Sequence, residues 1–159
     1  MTRWPRTRRL VSRLRRRGGP AYRGDLAPST SVAIDYAPVA DGRADPGEVV
    51  WAWVPYEEDP NRGKDRPVLV LARTGDDLLA LMLTSRDHTG EPRRDDRPGA
   101  PVWMDVGSGA WDRQGRPSEV RLDRVLRLDE SAVRREGAAL DRGRFDRVAA
   151  AARELHGWA

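Results

Sequence analysis

Glu48-Val-Val-Trp-Ala-Trp-Val54 decides the fold class. It alternates large and small side chains in a β-branched, aromatic run, the pattern of a strand rather than a helix. Two more apolar runs follow, Pro67-Val-Leu-Val-Leu71 and Leu78-Leu-Ala-Leu-Met-Leu-Thr84. The turn chemistry of Thr74-Gly75-Asp76 between them predicts an antiparallel hairpin. Neither run has a polar face, so both faces of that hairpin are expected to be covered. Pro67 is read as opening its strand, where no ladder donor is needed. Upstream of it, Pro55 to Asp65 is polar and carries Pro60 and Gly63, which predicts a loop of about ten residues. Ordered loops of that kind often carry function.

Further along, 85–101 is again polar, and Val102-Trp-Met-Asp-Val106 is a short strand. Gly107 to Pro117 reads as a glycine-punctuated loop around Trp111. Val120, Leu122, Val125, Leu126 and Leu128 mark a last strand whose alternation breaks near Asp123, which predicts a β-bulge. The hydrophobic period then changes. Asp129 or Ser131 can cap a short helix through Arg135, ended by Gly137. Asp141 caps a longer helix, with Phe145, Val148, Ala149, Ala152 and Leu155 at helical spacing. Five strands followed by helices predict a mainly β, α+β domain: a small barrel with C-terminal helical additions.

The chain has 159 residues, 34% of them charged and 38% hydrophobic, which fits one ordinary domain. No stretch approaches the roughly 20 apolar residues that cross a bilayer, so a membrane-spanning helix is excluded. Zero cysteines exclude a disulfide scaffold, a thiolate metal site and a cysteine nucleophile. With only two histidines besides, no metal and no cofactor is expected. The reducing cytoplasm is the expected compartment. The net charge of +4 is unevenly spread, because residues 1–24 hold nine arginines and no acid, leaving −5 for 25–159. Residues 1–45 are poor in apolar side chains and broken by Pro5, Pro20, Pro28 and Pro38. They read as an Arg-rich, mostly disordered extension, with 46–159 as the folded domain. A solvated tail, a polyanion contact and a targeting segment all stay open for the extension.

Phosphate-binding glycine loops, GxSxG elbows and HExxH motifs are absent. Polar residues remain at the edges of the apolar strands. Arg66 precedes Pro67 at the mouth of one strand, and Thr84 and Ser85 end the next. In an antiparallel hairpin turning at 74–77, Arg66 and Thr84 become cross-strand neighbours. A guanidinium fork beside a hydroxyl suits a phosphate. A rim arginine bonded to a loop carbonyl is the other reading that spacing leaves open.

Four segments, in order, resemble the PemK/MazF toxin family: Pro46-Gly-Glu-Val-Val-Trp-Ala-Trp-Val54, Gly63-Lys-Asp-Arg-Pro-Val-Leu-Val70, Leu81-Met-Leu-Thr-Ser85 and Ser118-Glu-Val-Arg-Leu-Asp-Arg-Val125. The resemblance covers 46 to about 155 and implies an SH3-like small barrel that dimerises, a fold shared with CcdB gyrase poisons. It also implies the toxin of a type II toxin–antitoxin pair, a metal-independent endoribonuclease of single-stranded RNA or mRNA held inactive by a cognate antitoxin. Two alternatives stay open: a non-catalytic member binding nucleic acid or protein, and a CcdB-like gyrase poison. By the resemblance the catalytic arginine falls on Arg66 and the catalytic threonine on Thr84. RNA cleavage by its own 2′-OH needs phosphate stabilisation and proton transfer, which this pair serves in part. Glu57, Glu58 and Asp59 in the first loop, and His88, are the candidate proton acceptors. Lys64, Ser85 and Arg86 flank the pair and are expected to meet RNA. Trp111 is expected to pack in the core or a dimer interface. Ser118, Asp123 and Arg124 are expected to be structural.

Overall fold

The computed structural model describes residues 22–27, 30–39, 43–85 and 100–159. Among the described residues, seven strands precede the C-terminal helix: β1 (Tyr22–Asp25), β2 (Glu48–Pro55), β3 (Gly63–Thr74), β4 (Asp77–Ser85), β5 (Trp103–Gly107), β6 (Ser118–Asp129) and β7 (Arg134–Ala139). A single 3-10 turn covers Glu130–Ala132, and α1 covers Arg142–His156. The mainly β, α+β class is as expected. All pairings are antiparallel, in the order β1-β6-β4-β3-β2-β7, with β5 also on β6. The sheet is therefore open, and the expected barrel is corrected to a sheet that hydrogen bonds do not close: β1 and β7 end it without pairing to each other.

The central hairpin follows its sequence pattern. β3 and β4 meet at Thr74↔Asp77, and Gly75 supplies the positive φ of 61° that the tight turn requires. Both faces of the hairpin are buried. Leu69, Leu71, Leu79, Leu81 and Leu83 face one cluster with Phe145, Val148, Ala149 and Ala152 of α1. Val68, Val70, Leu78, Ala80 and Met82 face a second cluster with Val50, Ala52, Val54, Leu126 and Leu128. Strands, not a helix, supply the cover on that second side, so the sheet curls around its own side chains.

Four expectations need correction. β3 starts at Gly63 instead of Pro67, since Gly63 to Arg66 pair with Ala52 to Pro55, and the loop shrinks to 56–62. Gly63 is needed there, for a Cβ would lie 2.3 Å from the Val54 carbonyl oxygen. The short helix expected through Arg135 is instead the 3-10 turn, capped by Asp129 accepting from the Ser131 N–H, and then β7. A five-residue helix is too short to sustain itself, whereas β7 gains a ladder along β2 through Glu48↔Ala139 and Val49↔Ala138. On α1, Asp141 accepts from the Arg144 N–H as expected, but Leu155 is 46% exposed rather than on the buried face.

The fourth correction concerns the extension. Its residues from Tyr22 onward belong to the folded body where they are described: β1 pairs with β6, and 30–39 runs as an extended strap. Val32 is 2% exposed, with Ile34 and Tyr36 packed beside the helix-side cluster. The Asp35 N–H donates to the Leu71 carbonyl, the Tyr36 hydroxyl to the Leu140 carbonyl, and the Trp158 indole to the Thr30 carbonyl. Tyr36 stacks on Phe145 at 4.9 Å. The charge pattern of residues 1–21, and the calls on Arg86, His88 and the 86–99 segment, lie outside the described residues.

Candidate active site

The hairpin register brings the proposed pair together. Val68 lies opposite Met82, and continuing two residues places Arg66 opposite Thr84. Their side chains meet, with Arg66 Nη1 donating to Thr84 Oγ1 at 3.4 Å, a long contact that leaves room for a stronger acceptor. Ala52 flanks Arg66 on β2, while Glu119 of β6 lies opposite Thr84 and Asp105 of β5 lies opposite Glu119. One row therefore crosses five strands as Ala52, Arg66, Thr84, Glu119 and Asp105. It sits at the end of the second apolar cluster, where alternation carries that cluster's face from Val68 to Arg66 and from Met82 to Thr84.

Lys64 is exposed on β3, two residues from Arg66 and on the same strand face, and Ser85 is half-buried opposite Ser118. Glu58 is exposed. Asp59 serves the turn, its carboxylate accepting the Asn61 N–H at 3.1 Å. The loop acid that reaches the sheet is Glu57, bonded to Arg121 Nη2 at 2.7 Å. Arg121 also donates to Asp123 at 3.0 and 2.9 Å. Burial opposes the charged guanidinium of Arg121, but Asp123 and Glu57 outweigh it and its pKa is raised. Burial likewise pushes the Asp123 carboxyl up. Hydrogen bonds from Arg121 and the Val102 N–H, with the arginine's charge, win, and the net shift is downward. Arg124 is 6% exposed and donates to the Pro55 carbonyl and the Asp25 carboxylate, so it ties β1 to the base of the loop. The expected bulge separates these residues: Leu81 pairs with Val125 but Leu83 with Val120.

Trp111 is 4% exposed within the helix-side cluster and its indole donates to Ser118 Oγ at 3.0 Å. Ser118 thus takes a structural bond, as Asp123 and Arg124 do.

In sequence, the family of PemK-like, MazF-like toxins of type II toxin–antitoxin systems matches residues 45–156. The chain belongs to this family. No curated protein matches it. Membership makes the chain a toxin whose natural counterpart is an antitoxin. No helix among the described residues is long and apolar enough to cross a membrane. Among the same residues, no group of three or more His, Asp or Glu side chains is placed to hold a metal ion.

Sequence reasoning for the toxin missed Glu119 and Arg121. Both stand inside the quoted Ser118–Val125 segment, yet among so many charged letters only burial sets them apart, at 3% and 7% exposure.

The Arg121–Asp123 pair makes stability depend on acid. A carboxyl with a lowered folded pKa contributes stability that is fully present above its unfolded value, near 3.9, and lost as pH falls through the folded one. Thermal melts of the toxin are expected to drop steeply below about pH 4, and Asp123→Asn should flatten part of that drop. Parallel curves for the two proteins would contradict this account of the pair.

Proposed function

We propose that the toxin is an endoribonuclease that cuts single-stranded RNA through the RNA's own 2′-OH. The Arg66–Thr84 contact carries this reading. The 2′-oxygen attacks the adjacent phosphorus, the P–O5′ bond breaks, the 2′-OH proton goes to the carboxylate base, and the leaving 5′-oxygen takes its proton from water. Arg66 stabilises the charge that builds on the phosphate oxygens. Thr84 hydrogen-bonds the phosphate or the 2′-OH and orients attack. Lys64 and Ser85 extend the phosphate-contacting surface. Of the loop acids, Glu58 serves as proton acceptor, since Asp59 bonds the Asn61 N–H and Glu57 bonds Arg121. DNA lacks the attacking hydroxyl and is spared. The substrate places this activity in the cytoplasm, with a homodimer forming the RNA groove and the antitoxin competing for it.

The chemistry asks nothing of a metal ion. Purified toxin is expected to cleave a long RNA in EDTA and leave 2′,3′-cyclic phosphate ends, read by end mapping. Cleavage that stops in EDTA, or ends with a free 2′,3′-diol, would overturn the mechanism. No cleavage at all would favour a silent binding module.

A further inference from the structure

We propose that Glu119 is a positioning residue for the Arg66–Thr84 pair, an inference that rests on the nuclease reading. Glu119 lies opposite Thr84 on one side and Asp105 on the other. Directly opposed residues have Cβ atoms about 4.5–5.5 Å apart, which puts the carboxylate within reach of the Thr84 hydroxyl and of the guanidinium beside it. The groups facing it are Thr84 from β4, Arg66 from β3, Asp105 from β5 and, two residues along its own strand, Arg121.

A carboxylate that is 3% exposed is costly to bury, and an acid directly across raises the cost. An apolar side chain would be cheaper here, where Met82, Ala80 and Val68 line the same face. Arg121 already bonds Asp123 and Glu57, and Arg66, one strand beyond Thr84 in the same row, is the cation paired with Glu119 in this proposal. The carboxylate holds the guanidinium and hydroxyl in one arrangement before the phosphate arrives, and a site set in advance needs no reorganisation during reaction. Too buried to reach a 2′-OH itself, Glu119 works through its two neighbours.

The test is Glu119→Gln in steady-state cleavage of a defined RNA. The expected result is a fall in kcat of about tenfold or more, as misplacement of reacting groups costs, with KM no higher, because removing a negative charge beside a phosphate does not weaken RNA binding. In an Arg66→Ala background the same change should be silent, since residues acting as one unit are not additive. Glu119→Met, similar in volume and uncharged, should show the same loss and stands in if the glutamine variant does not fold. Full activity in either folded variant, or a loss that multiplies with that of Arg66→Ala, overturns the inference. Wild type that cleaves no RNA defeats the nuclease reading and this inference together. Wild type that cleaves, beside an inactive Arg66→Ala and a fully active Glu119→Gln, defeats the inference alone.

Discussion

Replacing Arg66 by alanine is expected to lower kcat for RNA cleavage by about 10²–10³-fold, the loss seen when one preorganised donor to a developing negative charge is removed. The residue is half-buried near the start of β3, and its guanidinium already points at Thr84. The backbone around it is held by the β2 and β4 ladders, which alanine keeps. Arg66→Ala should therefore melt within a few degrees of wild type while losing activity. Arg66→Lys keeps the charge but not the planar fork, so it should recover part of the rate and not all of it. Thr84→Ala should cost less than Arg66→Ala, because a hydroxyl is a neutral partner. The readout is single-turnover cleavage beside a melting curve for each variant. An Arg66→Ala protein as fast as wild type would remove the catalytic role of the pair.

Trp111→Ala should damage the fold instead. The ring is 4% exposed, packs so tightly over Gly109 that a Cβ there would lie 2.0 Å from it, and donates to Ser118 Oγ. Its backbone carbonyl also accepts the Trp51 indole at 3.1 Å. Burying a tryptophan and then deleting it typically costs about 3–5 kcal/mol. For a chain of this size that is a fall in Tm of roughly 6–20 °C. Trp111→Phe retains most of the packing and loses the bond to Ser118, so it should fall by much less. A melt for Trp111→Ala within about 2 °C of wild type, the smallest shift one kcal/mol gives, would mean that the ring is not the core residue described.

Where the sequence is strongly periodic, it was legible. The three central strands, the hairpin register that joins Arg66 to Thr84, the bulge in β6 and the Asp141 cap all follow from local pattern and turn chemistry. β7 was not, because Arg134–Ala139 has no strand composition and exists only through the edge that β2 offers. The strap was overlooked for a different reason. Val32, Ile34 and Tyr36 do alternate with Ala33 and Asp35, a period-2 signal, but it is short and lies beside an arginine-rich run that dominates the composition. The same limit hides Glu119, since a letter cannot say that its carboxylate is under a sheet row and not in water.

The strap has a consequence for when the toxin can become whole. Thr30 and the Trp158 indole that binds it are separated by 128 positions, and Tyr36 stacks on a helix made just as late. Contacts so distant must be preceded by closure of a very long loop, so they form slowly and late in folding. A ribosome has finished Arg66 and Thr84 well before Phe145 or Trp158 exists. During that interval the helix-side face of the sheet is uncovered, and the strap has Leu71 but neither Phe145 nor Trp158 to hold it. A copy broken off before α1 would carry both site residues on a body that cannot seal. The helix-side face of the sheet is thus covered in full only once the chain has been made as far as residue 158.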